Sequence, residues 1–134
     1  MSAVERFFDT NILLYLLSSD AAKADRAEQI VGLGGAINVQ VLNEFASVSL
    51  RKLGMSVGEV KEVLATVRGV CTVAPLGLEV HELGLDVLEK YRLSLYDAMI
   101  VAAAVLAGCR TLVSEDLQHG QVFESRVQVL NPFL

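Results

Sequence analysis

The sequence is poor in cysteine and proline, and this excludes two kinds of organisation. Its 134 residues contain two cysteines, Cys71 and Cys109, which form neither a Cys-x-x-Cys motif nor a Cys/His metal-ligand spacing. A disulfide framework or a thiolate metal site is therefore not expected, and we predict two buried thiols in a reducing cytosol. The sequence has two prolines, Pro75 and Pro132, and no repeat or low-complexity segment. It therefore shows no linker that would divide the chain into domains. We expect one domain over residues 1–134.

Long apolar segments and a basic charge balance are also missing. The longest apolar runs, residues 12–17 and 98–108, are shorter than the ~18–20 residues needed to span a bilayer. No charged-then-apolar signal segment opens the chain, so we expect a cytoplasmic protein without a membrane partner. The net charge of −5, from 11 basic and 16 acidic residues, argues against the basic surface of a simple nucleic-acid binder. The hydrophobic share of 53% excludes intrinsic disorder and indicates an apolar partner surface beyond the core.

Short β-like runs alternate with longer helical patterns along the chain. Five strands are predicted, at residues 6–8, 36–39, 70–74, 110–113 and 126–130. Helices are predicted at residues 11–18, 22–34, 40–53, 56–67, 78–91 and 94–106. Strands that alternate with helices imply βαβ crossovers, so the expected fold class is α/β. We predict a three-layer α/β/α sandwich around a mostly parallel sheet of about five strands.

Acidic residues fall where an open α/β sheet forms its binding sites. Asp9 directly follows the first strand, and Glu44 lies one turn into the helix after the second. Asp97 is in the first turn of the helix before the fourth strand, which Glu115 and Asp116 follow. Sites of such sheets lie outside the carboxyl ends of the strands. Because converging carboxylates repel each other unless a cation shares them, the pattern favours a site for Mg²⁺, with Mn²⁺ as a close substitute.

Each acid also has a purely structural interpretation. Asp9 could cap the helix that follows it, and Glu44 could favour a helix N-terminus through the helix dipole. Asp97 could complete a capping box opened by Ser94, and Asp116 could form an Asx turn. Taken singly, the structural interpretation is favoured for each residue. Taken together, four acids at one edge of one sheet favour a metal site, and capping is compatible with metal binding.

Four segments in chain order resemble the motifs of the PIN-domain nucleases and, more narrowly, of the VapC-type toxins of toxin–antitoxin pairs. The segments are Phe8-Asp9-Thr10-Asn11-Ile12-Leu13, Asn43-Glu44-Phe45, Tyr96-Asp97-Ala98 and Leu112-Val113-Ser114-Glu115-Asp116-Leu117. The resemblance covers essentially the whole chain. It is weakest after the fourth acid, where the family often has an aromatic residue and this sequence continues Leu117-Gln118-His119-Gly120.

The resemblance implies a PIN-like domain and an endoribonuclease that depends on Mg²⁺ or Mn²⁺. Its catalytic and metal-holding quartet would be Asp9, Glu44, Asp97 and Asp116. Asn11 and Ser114 match the accessory polar positions beside the first and last acids. Family members of the toxin type are usually homodimers, silenced by a small antitoxin whose segment lies across the active-site groove. The implied protein is the toxin of a type II pair, acting on RNA.

The residues alone leave other functions open. A catalytically silent PIN-like module that binds RNA or protein would keep the same acids. A phosphotransfer domain of the haloacid-dehalogenase type would have a second Asp where Asn11 stands. A receiver-type domain would have two adjacent early acids and a lysine after a late strand, and this sequence has neither.

Residues that could hold RNA are less sharply indicated than the acids. Five basic residues are candidates, namely Arg6, Arg51, Lys52, Arg92 and Arg110. A solvated surface charge is the ordinary interpretation for each of them. Tyr15 and Tyr96 could stack a base, but their helical spacing among Leu and Ala favours packing in the core or in a dimer. His119 lies near the fourth acid in sequence and is a further candidate for substrate contact.

Overall fold

Six strands form one sheet in the computed structural model, which describes residues 5–134. The strands are β1 Arg6–Phe8, β2 Gly35–Asn38, β3 Cys71–Ala74, β4 Thr111–Val113, β5 Val122–Phe123 and β6 Val127–Leu130. The helices are α1 Thr10–Leu14, α2 Ala21–Gly32, α3 Val39–Arg51, α4 Val57–Val70, α5 Leu78–Tyr91 and α6 Leu95–Leu106. The strand order is β3-β2-β1-β4-β6-β5, and every neighbouring pair is parallel except the antiparallel pair of β5 and β6.

Strand β1 lies inside the sheet because it is apolar on both faces. Phe7 and Phe8 are fully buried, and β1 pairs with β2 on one side and with β4 on the other. Phe7 lies opposite Ala36 of β2 and opposite Leu112 of β4. A mostly parallel sheet needs cover on both faces, and the six helices flank it. The predicted α/β class and α/β/α arrangement are confirmed.

Helix α6 is the most buried helix and carries Asp97 in its first turn. All its residues from Ala98 to Val105 are buried, as expected for a helix that is apolar all round. It packs against α5 at Gly84, where an added Cβ would clash with the Met99 side chain. The missing side chain therefore allows the close approach that sets the position of α6. No helix in residues 5–134, α6 included, is both long and apolar enough to cross a membrane.

The structure differs from the predicted elements at three places. The helix expected over residues 11–18 is the short α1 followed by a 3₁₀ turn, Tyr15–Leu17, which tightens the chain before α2. Helix α4 continues to Val70, so the third strand starts one residue later than expected. Strand β5 was not predicted, since two residues are too few to show an alternating pattern. Glu124 and Ser125, with φ of 54° and 55°, turn the chain from β5 into β6.

Both cysteines are buried and free, as expected. Burial raises the pKa of the Cys71 thiol and of the Cys109 thiol to about 11. Both thiols are therefore protonated at neutral pH, which makes them poor nucleophiles and poor metal ligands.

Candidate active site

Asp9 is the buried centre of the acidic edge. It begins α1 as its N-cap, directly after β1, and its Oδ1 accepts a 2.7 Å hydrogen bond from the Thr10 backbone N–H. The residue is only 5% exposed. The pKa of Asp9 is raised from 3.8 to about 6, chiefly by burial and also by the negative charges of Asp116 and Asp97. Hydrogen bonds from Ser114 and Thr10 to the carboxylate lower this pKa and offset part of the rise.

Ser114 and Asn11 connect Asp9 to Asp116. Ser114 follows β4 and is fully buried; its Oγ donates a 2.8 Å hydrogen bond to Asp9 Oδ2 and accepts one of 3.1 Å from the Asp116 backbone N–H. Asn11 Nδ2 donates to Asp9 Oδ2 at 3.3 Å and to Asp116 Oδ2 at 3.0 Å. Asn11 Oδ1 accepts a 3.1 Å bond from the Glu115 backbone N–H. Two acids that are far apart in sequence are therefore held on one hydrogen-bonded frame.

Thr10 and Gln40 connect Glu44 to the same edge. Glu44 lies on α3, which begins where β2 ends. Its Oε1 accepts hydrogen bonds from Thr10 Oγ1 at 3.0 Å and from Gln40 Nε2 at 3.3 Å. Gln40 Nε2 is also 3.3 Å from the backbone carbonyl of Tyr96, to which it donates. Since Asp97 follows Tyr96, these contacts link the second predicted acid to the first and to the third.

Asp97 is oriented by the start of α6. The Ser94 side chain caps this helix and accepts a 3.3 Å hydrogen bond from the Asp97 backbone N–H. No hydrogen bond within residues 5–134 uses the Asp97 carboxylate itself, so the capping role expected of this residue rests on its backbone alone. The Tyr96 carbonyl accepts from Gln40, which also donates to Glu44, so the start of α6 lies at the same edge. The negative charge of Asp97 contributes to the raised pKa of Asp9. The structure thus brings all four predicted acids to one edge of the sheet.

The side chains of Glu115 and His119 form their hydrogen bonds with groups outside the four acids. The Glu115 carboxylate accepts a hydrogen bond from the Tyr15 hydroxyl and pairs with Lys23 Nζ at 3.4 Å. The bond to Glu115 raises the pKa of Tyr15. Lys23 Nζ also lies 4.8 Å from the centre of the Tyr15 ring and 5.5 Å from that of Phe133. His119 is exposed, and its Nδ1 accepts a 3.0 Å backbone hydrogen bond from the residue that follows β6.

Two grooves open beside the acids, and Val48 of α3 lines both. The first, which we name the Tyr96 groove, has a volume of about 610 Å³. Its lining includes Gln40, Asn43, Glu44, Arg51, Leu76 and Tyr96. The second, the Tyr15 groove, has a volume of about 570 Å³. Its lining includes Asn11, Leu14, Tyr15, Leu17, Ser18 and Glu115.

The chemistry of the acidic edge suits a hard divalent cation. Its donors are carboxylate, amide and hydroxyl oxygens, and within residues 5–134 both ion pairs lie elsewhere, so no cationic side chain neutralises the four acids. The described part of the chain contains no group of three His, Cys, Asp or Glu side chains that could hold a metal ion by themselves. Mg²⁺ does not require such a group, since it usually binds one or two carboxylates and keeps several waters. The connected pair of Asp9 and Asp116 meets that requirement.

Thr10 and Gln40 are residues of the site that the sequence patterns did not single out. Thr10 is part of the first motif, where the only signal is a hydroxyl directly after an acid. Gln40 stands four residues before Glu44, a spacing that places two side chains on one face of a helix. Neither signal tells which distant residue is contacted, because that depends on how the elements pack.

The candidate RNA-contact residues lie at different places. Of the two expected kinds of packing, core or dimer, Tyr96 does not pack in the core, since this residue is 63% exposed in the single chain. Tyr15 is half-buried against the ring of Phe133. Arg6 opens β1 and Arg110 immediately precedes β4, so both lie at the edge opposite to the acids. Arg51 is exposed and lines the Tyr96 groove.

The fold and the site define the class of the protein: an α/β domain with an acidic, oxygen-rich site at the carboxyl edge of its parallel strands. The chain belongs to the PIN domain family, whose sequence profile matches residues 6–123. This membership excludes the haloacid-dehalogenase and receiver alternatives. Comparison with curated protein sequences gave no significant match.

Two solved structures have a similar fold. One is a toxin–antitoxin complex from Klebsiella pneumoniae, with a TM-score of 0.71 and 20% identity, covering 95% of this chain and 97% of the other. The second is the VapC20 toxin of Mycobacterium tuberculosis, described as a sarcin-ricin loop cleaving toxin. It aligns with a TM-score of 0.66 and 19% identity over 83% of this chain and 91% of its own. The resemblance to PIN-domain proteins of the VapC type is confirmed, and at these identities the structural likeness is one of fold.

Proposed function

We propose that this protein is a Mg²⁺- or Mn²⁺-dependent endoribonuclease and the toxin of a type II toxin–antitoxin pair. The observation that supports this most strongly is the hydrogen-bonded frame that holds Asp9, Glu44 and Asp116 at one edge, with Asp97 beside them. Membership of the PIN domain family supports nuclease activity, and the likeness to VapC20 and to a toxin–antitoxin complex supports the toxin role.

In this proposal the acids hold the cation and the neighbouring polar groups orient the acids. Asp9 and Asp116 are the connected carboxylates that would hold Mg²⁺ or Mn²⁺. The bound ion would lower the pKa of a water molecule and offset the charge that builds on the phosphoryl oxygens. Asn11 orients both carboxylates, because its Nδ2 donates to Asp9 and to Asp116. Ser114 donates to the Asp9 carboxylate and accepts from the Asp116 backbone N–H.

The remaining two acids, Glu44 and Asp97, would take part in proton transfer. Glu44 is steered by Thr10 and Gln40, while the Asp97 carboxylate is free of hydrogen bonds in the described chain. One of them would accept the proton of the water that attacks phosphorus, as the bond from phosphorus to the leaving oxygen breaks. No cysteine nucleophile is needed, in agreement with the protonated state of the two buried thiols.

We also propose an RNA substrate, a small antitoxin and a homodimer. The likeness to a toxin–antitoxin complex supports the antitoxin. Exposed apolar side chains support contacts with other chains: Leu78 and Leu106, for example, are exposed and line one surface cavity together. Size-exclusion chromatography with light scattering tests the dimer, because a monomeric mass at micromolar concentration contradicts it.

The decisive experiment for the nuclease is cleavage of a panel of structured RNAs by the purified protein in Mg²⁺, in Mn²⁺ or in EDTA. Asp97→Asn is the test variant, and Asp86→Asn, an exposed acid on α5, is the matched control. We expect cleavage in either metal by the wild type and by the control, and none in EDTA or with Asp97→Asn. Cleavage that survives EDTA or Asp97→Asn contradicts the mechanism, and no cleavage of any RNA supports a catalytically silent module.

The toxin role is tested separately in cells. We expect induced expression of the wild type to arrest growth, Asp97→Asn to leave growth intact, and co-expression of a short reading frame found directly upstream to restore it. Cleavage in vitro without growth arrest would contradict the toxin role while leaving the nuclease proposal in place.

A further inference from the structure

The Tyr96 groove contains a cation that no acid in the described chain neutralises. Arg51 ends α3, and its Nε donates to Ser47 Oγ at 3.1 Å and to the Ser47 carbonyl at 3.4 Å. Neither ion pair of residues 5–134 includes Arg51, so the rest of the guanidinium faces the groove without a carboxylate. A planar guanidinium held by its own helix is well suited to bind a phosphate, because its fork of donors matches phosphate oxygens.

Tyr96 supplies an aromatic surface across the same groove. The residue is 63% exposed, yet its backbone is anchored by the 3.3 Å hydrogen bond from Gln40 to its carbonyl. No hydrogen bond among the described residues uses its hydroxyl. An exposed ring on a fixed backbone is what base stacking needs, and stacking tolerates every base. Asn43, also exposed in this groove, presents an amide that can both donate and accept.

The groove is continuous with the proposed active site. Glu44 lines it directly, and Tyr96 is the neighbour of Asp97. Glu44 and Arg51 are seven residues apart on α3, which places them two turns apart on one face and about 10 Å apart along the helix axis. A chain that occupies the groove would therefore reach Arg51 from the acids without leaving this face of the protein.

We propose that the Tyr96 groove binds a single-stranded segment of RNA beside the cleaved phosphate, with a base on the Tyr96 ring and a backbone phosphate on Arg51. The proposal rests on the proposed nuclease function and names where its substrate lies. A single strand is required, because in a duplex the bases are already stacked on each other and their faces are not accessible. The net charge of −5 does not oppose this contact, because Arg51, which has no acidic partner in residues 5–134, acts locally beside the site.

The test is the affinity for a short fluorescein-labelled single-stranded RNA of mixed sequence, measured by anisotropy in EDTA at low ionic strength. The test variants are Arg51→Gln and Tyr96→Ala, and the controls are Arg110→Gln at the opposite edge and Tyr96→Phe, which keeps the ring. We expect each test variant to weaken binding by about tenfold and the controls by less than about twofold. Arg51→Gln should also reduce the slope of log affinity against log salt by about one.

Thermal melting of every variant checks that the fold is intact. Equal affinity of Arg51→Gln and wild type, no binding of this RNA by the wild type, or equally strong binding of a duplex of the same length each overturn the proposal. If the natural occupant of the groove is a protein segment, the test variants should bind RNA as the wild type does, and this result contradicts the proposal.

A second readout separates this proposal from the nuclease function. We expect Arg51→Gln to raise KM for a cleaved RNA by about tenfold while kcat stays within about twofold, because a distant phosphate contact contributes to binding more than to the chemical step. Binding that depends on Arg51 without any cleavage in Mg²⁺ would retain the groove and reject the nuclease. Cleavage with a KM that Arg51→Gln does not change would support the nuclease function and contradict the proposed role of the groove.

Discussion

The Tyr96 groove and the Tyr15 groove share Val48 of α3 in their linings, yet they use their polar groups in opposite ways. In the Tyr15 groove, the Tyr15 hydroxyl and the Lys23 ammonium are both bonded to the Glu115 carboxylate. In the Tyr96 groove, within the described chain, Arg51 has no acidic partner and the Tyr96 hydroxyl has no hydrogen bond. Polar groups that satisfy each other hold the fold together, while groups that are left unpaired beside a site are available to a ligand.

The comparison shows that composition alone does not identify a binding surface. Each groove has a tyrosine, a carboxylate and a nearby cation, and their volumes are similar at about 610 and 570 Å³. The difference lies in whether the carboxylate belongs to the acidic edge, as Glu44 does, or is neutralised by its own neighbours, as Glu115 is. The two grooves should therefore respond differently to matched substitutions.

The largest expected effect distinguishes the two carboxylates. Glu44→Gln should reduce the rate of RNA cleavage by about 10²–10⁴-fold, because it removes a proton acceptor or a cation ligand from the proposed site. Glu115→Gln should change the rate by less than about threefold, because a partly exposed ion pair contributes little and the amide oxygen can still accept from Tyr15. Single-turnover cleavage assays in Mg²⁺ measure both. Losses of similar size would remove the distinction between the grooves.

The next effect concerns Asp9, the buried acid of the site. Its pKa of about 6 in the folded chain exceeds its ordinary value of 3.8, so between these pH values the folded chain keeps a proton that the unfolded chain has released. The stability of the metal-free protein should therefore fall as the pH rises from about 4 to about 6, by about 3 kcal/mol from this residue.

Urea unfolding in EDTA at several pH values measures this contribution. Asp9→Asn should flatten the profile over this window relative to the wild type, while the exposed-acid control Asp86→Asn should retain it. Adding Mg²⁺ at neutral pH should stabilise the wild type more than Asp9→Asn, since only the folded site binds the ion. Identical profiles for wild type and Asp9→Asn would show that burial does not raise the pKa of Asp9 in the folded protein.

A smaller effect is expected from the asparagines. Asn11→Ala should lower activity and apparent Mg²⁺ affinity by about 10–100-fold, because Asn11 orients both Asp9 and Asp116. Asn43→Ala, an exposed asparagine of the Tyr96 groove, should leave Mg²⁺ affinity unchanged and affect RNA affinity alone. Activity titrated against Mg²⁺ at fixed RNA separates the two, and a Mg²⁺ dependence that Asn11→Ala does not alter would contradict its bridging role.

The smallest effect compares the two tyrosine hydroxyls. Tyr15→Phe should cost about 1 kcal/mol of unfolding free energy, because it leaves the Glu115 carboxylate without a half-buried donor. Tyr96→Phe should change the unfolding free energy by less than the error of the measurement, since its hydroxyl is exposed. Urea denaturation monitored by circular dichroism gives both values. A loss with Tyr96→Phe as large as that with Tyr15→Phe would mean that the Tyr96 groove is also built for stability.

Much of this architecture follows from local rules of sequence. Apolar runs of period two and amphipathic runs of period 3.6 predicted five of the six strands and all six helices, with boundaries within a few residues. The same rules placed Asp9 and Asp116 after strands and Asp97 at a helix start. They failed for β5, which is two residues long, and for the 3₁₀ turn, where the helical pattern continues but the chain must turn into α2.

The site was predictable in its residue types and not in its contacts. Four motif segments were enough to propose the acids, because a strand end or a helix start is a local property. The bond from Thr10 to Glu44 spans 34 positions, and the bond from Asn11 to Asp116 spans 105. No local pattern encodes such pairs, and for the same reason Gln40 and Thr10 were missed.

The amino-acid pattern is sufficient to state that this is an α/β chain with acids at strand ends, because burying apolar side chains in a strand or a helix is decided within a few residues. The strand order β3-β2-β1-β4-β6-β5 decides which acids meet. It also decides that Glu115 is paired with Lys23 while Arg51 has no acidic partner among residues 5–134. That order results from packing the whole chain at once, when distant apolar surfaces compete for the same core and bring their polar neighbours together.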